Sequence, residues 1–381
     1  MGSTPKNEVN RIAIVHPWMP QYRDLFFYRL GKALEDRGIS LDVYYGEPNP
    51  TWGERGDSVN PEHSQSVRTF FIKVGSRYMQ YKSLPLRKFK KYKLVIVEDA
   101  LHNVETYLLW LIGARIAYWG HGRSYTERAP WPLKLLKTLL VRSSAWFFSY
   151  TSGGAKTIIE GGMNPDRVSV LNNSLDISPL LELSQKITDS ELSAFRLKIG
   201  AGDGQIGLFL GALDKSKKLE LLFASCDEVF KKNPAFRLVV IGDGPERPFV
   251  EAATSVRTYV TFLGKSFEKS KVLALMSADF LLVPGRVGLV TIESFNFEVP
   301  IITTADPFHA PEFEYLIPNQ NSELSDESSH AYAASILKVI SDTDYLRTLK
   351  EGCRAAAETY TVGHMVEVFA ESVVAGIGRS V

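Results

Sequence analysis

The segment Pro284-Gly285-Arg286-Val287-Gly288-Leu289-Val290 leads from the apolar run Phe280-Leu281-Leu282-Val283 into a stretch with Leu289, Ile292 and Phe295 at helical spacing. A strand, a glycine-containing loop and a helix start gather backbone N–H groups and the positive end of a helix dipole, the usual setting for an anionic ligand. Glu293 falls in the first turns of that helix. An ionised carboxylate only accepts hydrogen bonds, so it suits a vicinal diol. Its other reading is that it complements its own helix dipole. Loop and carboxylate together suggest a nucleotide-sugar site.

Other residues could join such chemistry. Gly242-Asp243-Gly244 ends a strand and opens a helix, but the dinucleotide fingerprint is incomplete there and lies far from the N-terminus. Its minimal reading is a tight turn, and its place at a sheet edge allows nucleotide contact. His121 sits between two glycines after the apolar run Ile116-Ala117-Tyr118-Trp119, which favours ligand contact over a core role. Lys215, Lys217 and Lys218 follow a strand ending in Gly211, and read either as a solvated turn or as an anion clamp. Cys226 and Cys353 have no metal-ligand spacing, and no Asp-x-Asp pair lies on a suitable loop, so no metal and no cofactor are expected.

The elements that must position these residues are short apolar runs alternating with helical patterns, the mark of α/β architecture with parallel sheets. Strands are expected at 11–15, 41–45, 94–97, 116–119, 145–150 and 168–171, then at 206–210, 237–241, 260–263, 280–283 and 300–303. Amphipathic helices are expected at 23–37, 131–142 and 188–201. The pattern breaks at the polar Asn172-Asn173-Ser174-Leu175-Asp176. The reading is therefore two doubly wound domains, 1–176 and 177–360, with a helix near 362–374 in the final segment, 361–381, crossing back to the first. Ligands of such sheets bind at the carboxyl ends of the strands, here expected in a cleft between facing domains. At 381 residues the chain is long enough for two or three domains of about 150 residues each. With 44 basic against 43 acidic residues it lacks the basic excess of a nucleic-acid binder. The first ten residues have no apolar signal core, and no run reaches the ~18 apolar residues of a membrane span. The expected location is the cytoplasm, either free or peripheral at the inner face of the membrane.

The ordered series of motifs resembles glycosyltransferase family 4, retaining nucleotide-sugar enzymes of GT-B fold, in its bacterial polysaccharide type. The resemblance spans nearly the whole chain. It rests on Pro20-Gln21-Tyr22-Arg23-Asp24-Leu25-Phe26-Phe27, Tyr118-Trp119-Gly120-His121-Gly122, Tyr150-Thr151-Ser152-Gly153-Gly154, Val170 to Asp176, Gly211-Ala212-Leu213, Ile241 to Glu246, Phe262-Leu263-Gly264, the segment from Pro284, and His309-Ala310-Pro311-Glu312. It implies two Rossmann-like domains, the first on the acceptor side and the second holding the donor. It implies that Lys217, with Lys218 behind it, clamps the donor diphosphate, since charge gathers there as the glycosidic bond breaks. It further implies that Glu293 binds ribose, that His121 faces the transferred sugar, and that the base lies on the backbone at Leu263. Gly211, Gly242, Asp243, Gly244, Arg286, Val287, Gly288, Leu289, Val290 and Glu312 complete the donor set, with His16, Tyr22, Arg23 and Arg123 toward the acceptor. Two positions depart from the family pattern: Ala212 stands where an arginine is usual, and Gly285 where the leading member of a glutamate pair is usual.

Two segments point to the acceptor. Arg87, Lys88, Lys90, Lys91 and Lys93 interleave with Phe89 and Tyr92, and Trp131 to Arg142 is an apolar helix punctuated by lysines. Such segments can seat a protein on an anionic membrane, or can be a solvated charge run and an ordinary core helix. The expected activity is transfer of a sugar from a nucleotide diphosphate to a glycan or lipid-linked acceptor. Its competitor is an inactive nucleotide-sugar- or glycan-binding protein of the same fold, supported by Ala212 and Gly285.

Overall fold

The computed structural model of this chain describes residues 10–50, 58–75, 77–123, 130–265, 269–306 and 308–378. They form two units, the first made of 1–176 and 361–381, the second of 177–360.

The first unit runs β1 (Asn10–His16), α1 (Gln21–Glu35), β2 (Ile39–Tyr45), β3 (Ser64–Ser66), β4 (Thr69–Val74), β5 (Arg77–Lys82), α2 (Leu86–Phe89), β6 (Leu94–Glu98), α3 (Val104–Leu111), β7 (Ile116–Gly120), α4 (Trp131–Arg142), β8 (Trp146–Ser149), α5 (Ser152–Glu160) and β9 (Val168–Val170). Seven strands form one sheet in the order β3-β2-β1-β6-β7-β8-β9, every neighbouring pair parallel. Central strands buried on both faces must be apolar throughout, as Ile12-Ala13-Ile14-Val15 and Leu94-Val95-Ile96-Val97 are. One face packs against α1 through Phe26, Phe27, Leu30 and Leu34. The other packs against Phe89 of α2, Leu109 of α3, Val141 of α4 and Ile158 of α5. Strands β4 and β5 form a separate antiparallel hairpin.

The second unit runs α6 (Ser178–Ser184), α7 (Asp189–Lys198), β10 (Ile206–Leu210), α8 (Leu219–Lys232), β11 (Arg237–Ile241), α9 (Arg247–Ser255), β12 (Val260–Phe262), α10 (Lys269–Ser277), β13 (Phe280–Leu282), α11 (Val290–Asn296), β14 (Ile301–Thr304), β15 (Ser322–Ser325), α12 (Ser329–Ser341) and α13 (Thr343–Thr359). Its six-stranded sheet has the order β12-β11-β10-β13-β14-β15, again fully parallel. The order reverses between β10 and β13, so the loops after these two strands diverge from one point, where open α/β sheets hold ligands. Helix α7 starts on a full capping box, Thr188 with Glu191. The last helix, α14 (Val362–Gly378), belongs to the first unit. Its Phe369 stacks on Phe148 at 4.3 Å between ring centres, and Met365, Ala370 and Val373 are fully buried beside it.

Strands β3, β4, β5 and β15 are absent from the sequence-based expectation, as is the β4–β5 hairpin. The described first helix begins at Gln21 rather than residue 23, and α14 extends to Gly378 rather than 374.

Candidate donor and acceptor sites

In the second unit three loops meet at the carboxyl edge of the sheet. Leu210 of β10 leads through Gly211, Ala212 and Leu213 into a single 3₁₀ turn, Lys215–Lys217. Asp214 caps that turn, accepting from the N–H of Ser216 at 2.8 Å. Gly242 lies against this loop so closely that a Cβ there would sit 2.0 Å from the carbonyl oxygen of Gly211. The Leu213 N–H donates to the Asp243 carbonyl at 2.9 Å and the Glu246 N–H donates to the Leu213 carbonyl at 2.8 Å. Glycines 242 and 244 thus lock the loops after β10 and β11 into one surface. Asp243 is exposed on it, 3.6 Å from Arg247. Leu263, after β12, donates its N–H to the Val240 carbonyl, and Gly264 accepts from the Gly242 N–H.

The loop after β13 closes on the same place. The Arg286 N–H donates to the Ser216 carbonyl at 2.8 Å, and Lys217 Nζ donates to the Arg286 carbonyl at 2.5 Å. Burial lowers the Lys217 pKa, while Asp214 and Glu312 raise it and Arg286 adds to the lowering. An ammonium has three N–H donors, so one spent on Arg286 leaves two for an anion. The Gly285 position explains the departure from the glutamate pair. A Cβ built there would lie 2.1 Å from the Ser216 oxygen and 2.5 Å and 2.7 Å from the carbonyl carbon and Cα of Lys217. Main chain occupies the space a side chain would need.

Val287 differs from the sequence expectation. Its N–H is not offered outward; it donates to His309 Nδ1 at 3.0 Å, while His309 Nε2 donates to the Thr304 carbonyl at 2.8 Å. The buried ring is therefore the neutral Nε2–H tautomer, and burial holds its pKa below the ordinary value. His309 also stacks flat on Phe313 at 3.9 Å within the loop after β14, and its bond from Val287 ties that loop to the one after β13. Among the described residues, the amides of Gly288, Leu289 and Val290 have no backbone acceptor. A Cβ on Gly288 would be 3.9 Å from a carboxylate oxygen of the buried Glu312, which places Glu312 beside that amide row. Lys218, the reserve clamp, is already matched: it pairs with Asp306 and with Glu327, the latter at 2.7 Å, and adopts left-handed φ of 53°. Arg286 reaches across to the Phe308 carbonyl at 3.3 Å. Glu293, on α11, is paired with Lys271 of α10. Neither Lys271 nor the structural use of His309 is apparent in the sequence. Lys271 reads there as one more surface lysine in Lys269-Ser270-Lys271.

In the first unit, His121 is exposed just beyond β7, its ring edge-on to Tyr150 at 4.9 Å. The glycines around it are required by contact. A Cβ on Gly122 would meet the Gly154 carbonyl oxygen at 2.6 Å, and one on Gly154 would meet the His121 oxygen at 2.3 Å. Asp99 secures the loop, accepting the Gly122 N–H at 3.2 Å and pairing with Lys137 of α4 at 2.9 Å. Burial raises the Asp99 pKa, opposed by Lys137 and that N–H. Arg123 and Tyr22 are exposed.

The structure places Arg23 and His16 inside the first unit rather than on an acceptor surface. Arg23 is 2% exposed, donates to Asn173 Oδ1 at 2.5 Å, and lies between the rings of Tyr22, Phe26, Trp119 and Tyr150. It joins α1 to the polar turn at 172–174. His16 Nδ1 donates to the Trp18 carbonyl, and burial drives its pKa down to about 3, so the ring is neutral. The basic-aromatic cluster also divides. Arg87, Lys88, Lys90, Lys91 and Lys93 are exposed, whereas Phe89 and Tyr92 are core, the Tyr92 hydroxyl donating to Asp42 at 2.5 Å. Helix α4 is the opposite of a core helix: Trp131, Leu133, Leu135, Leu136 and Leu139 are 40–77% exposed, and only Val141 is buried.

Among the described residues no group of three or more His, Cys, Asp or Glu side chains could hold a metal ion, and no helix is long and apolar enough to cross a membrane.

Residues 204–342 match the family model described as glycosyl transferases group 1. Similar curated proteins include alpha-monoglucosyldiacylglycerol synthase of Acholeplasma laidlawii, 21% identical over 54% of this chain and 50% of that protein. Phosphatidyl-myo-inositol mannosyltransferase of Mycobacterium tuberculosis is 26% identical over 42% of this chain and 44% of its own length. The aligned part of this chain thus spans about half the length of these relatives. Among solved structures, Anabaena Alr3699/HepE in complex with UDP superposes with a TM-score of 0.67 at 15% identity, covering 96% of this chain and 100% of the other. A glycosyltransferase from Rickettsia africae gives 0.73 at 13% identity over 98% and 100%. At such identities the superpositions show a shared fold, with two parallel-sheet Rossmann-like domains.

Proposed function

We propose, from the match of residues 204–342 to the model of glycosyl transferases group 1, that the chain moves a sugar from a nucleotide diphosphate to a glycan or lipid-linked acceptor. The observation that carries this is the meeting of Lys217, the amides of Gly288 to Val290, and Glu312 at the sheet's switch point. Glycosyl transfer demands stabilisation of a departing diphosphate, and a half-buried ammonium beside preorganised N–H groups meets that demand. In this reading Lys217 and the amides receive the diphosphate without a metal, Glu293 takes the ribose, and the base lies on the backbone at Leu263. The sugar passes to the acceptor with its anomeric configuration retained as the nucleotide diphosphate leaves. Two similar proteins support a lipid acceptor by their names, and Alr3699/HepE supports UDP as the first nucleotide to try.

The acceptor reading is that the protein works peripherally at the cytoplasmic face of an anionic membrane, in polysaccharide or glycoconjugate synthesis. Its support is the stripe Trp131, Leu135 and Leu139 along one face of α4, with Lys134 and Arg142 flanking it. Lys137 and Val141, on the other side of the helix, anchor it to the unit. The exposed basic residues 87–93 surround α2, which packs on the same face of the sheet as α4. An apolar stripe rimmed by cations suits a headgroup boundary.

The test is a thermal-shift panel of UDP, GDP, ADP and dTDP and their sugars, paired with sedimentation on phosphatidylglycerol vesicles. One nucleotide should stabilise the protein, and the vesicles should carry it down at low salt. Failure of every nucleotide to bind would refute the donor site; failure to sediment would refute the membrane reading alone. Ala212 and the main chain filling the Gly285 position favour a second reading, a nucleotide-sugar-binding protein without turnover. Tight nucleotide binding with no donor consumption would establish it.

A further inference from the structure

Glu293 and Lys271 come from different βα units. Helix α10 follows β12 and helix α11 follows β13, so both helices begin at the carboxyl edge of the sheet. Lys271 lies in the first turn of α10 and Glu293 in the first turns of α11, and Nζ of one donates to Oε1 of the other. Their side chains are only 18% and 10% exposed. Packing does not require a lysine here. The buried face of α10 is supplied by Val272, Ala274, Leu275 and Ser277. An ion pair so far out of water gains little net stability, because desolvation offsets much of the attraction.

We propose that Lys271 is the positioning residue of the nucleotide site. It holds Oε1 of Glu293, which fixes the carboxylate plane and turns Oε2 toward a ribose hydroxyl. It also cancels the carboxylate charge, so that an incoming nucleoside diphosphate meets a neutral pair rather than an anion. This rests on the donor-site reading above and adds to it a residue that acts through Glu293.

Calorimetric titration with UDP, GDP and ADP, and with their 2′- and 3′-deoxy forms, tests it on wild-type protein, Lys271→Met and Lys271→Arg, each checked for folding by circular dichroism. Wild type should prefer one ribonucleotide over at least one of its deoxy forms by about tenfold or more, the worth of one hydrogen bond to a charged group. Lys271→Met should bind the ribonucleotide about tenfold more weakly and lose that preference, and Lys271→Arg should keep most of both. Unchanged affinity and preference in Lys271→Met would overturn the inference, as would a folded Lys271→Arg that behaves like Lys271→Met. A wild type that binds nucleotide without any deoxy preference would overturn it too. A wild type that binds none of the nucleotides would instead overturn the donor-site reading.

Discussion

Restoring a side chain at Gly285 should damage this protein. An alanine Cβ there would stand 2.1 Å from the Ser216 carbonyl oxygen and 2.5 Å from the Lys217 carbonyl carbon. Ordinary contacts of this kind exceed about 3 Å, so the 214–218 loop or the 284–288 loop must move by about 1 Å. Either movement strains the Arg286 N–H bond to Ser216 and the Lys217 bond to Arg286. Overpacking of this kind costs about 1–3 kcal/mol, and a domain of roughly this size loses about 2–4 °C per kcal/mol. Gly285→Ala should therefore melt about 2–12 °C below wild type and bind donor nucleotide more weakly, because Lys217 shifts with its loop. Gly285→Glu should be worse, although it recreates the family's glutamate pair. Gly31→Ala is the control: no atom lies within 4 Å of a Cβ there, and the position is inside α1. It should be neutral or stabilising by up to about 1 kcal/mol. Differential scanning calorimetry with and without nucleotide reads all three, and a donor-consumption assay reads turnover. A Gly285→Ala protein as stable as wild type, or a Gly285→Glu protein with increased donor turnover, would refute the steric argument.

Lys218 sits in a left-handed conformation that costs a non-glycine residue about 1–2 kcal/mol. Lys218→Gly should thus exceed Lys218→Ala in stability by about 1 kcal/mol in urea melts, since both lose the same ion pairs to Asp306 and Glu327; equal stability would contradict this. His16 has a folded pKa of about 3, below its unfolded value, so its contribution is complete above pH ~6.5 and is lost as pH falls from there toward 3. His16→Asn, which can keep the donor to Trp18, should flatten the fall in stability between pH 7 and 5 by close to one proton's slope, about 1.4 kcal/mol per pH unit at most; an unchanged slope in denaturant titrations would show that the ring does not titrate this way. Leu135→Glu with Leu139→Glu should abolish sedimentation on anionic vesicles while leaving nucleotide binding unchanged, and equal sedimentation would remove α4 as the seating face.

The sheets were legible because a parallel strand covered on both faces must be apolar along its length, and Ile206 to Leu210 or Ile116 to Trp119 can be little else. The strands that escaped notice lie where that constraint lapses. Ser322-Glu323-Leu324-Ser325 is a polar edge strand, and Phe70, Ile72 and Val74 of the β4–β5 hairpin are exposed outside either sheet. Of the candidate site, the glycines and Glu293 stand out in the sequence because their local patterns, strand end, glycine loop and helix start, are short-range. What the sequence concealed are pairings across long separations. His309 serves Val287, Lys271 serves Glu293, and the main chain of Lys217 occupies the space at Gly285. No local pattern encodes such meetings. Arg23 and His16 misled for the converse reason: polar residues beside a motif resemble site residues until their internal partners are seen.

The central claim is that Lys217 and the loop after β13 stabilise a departing nucleotide diphosphate. Real-time proton NMR of nucleotide sugars incubated with the protein and a membrane glycolipid extract follows donor loss and the anomeric configuration of the product together. The account predicts that one donor is consumed, that the new linkage keeps the donor's anomeric configuration, and that Lys217→Met is slower by about 100-fold or more, the usual worth of one preorganised donor. Consumption at equal rates by wild type and Lys217→Met, or no consumption by a wild type that binds the nucleotide tightly, would contradict it.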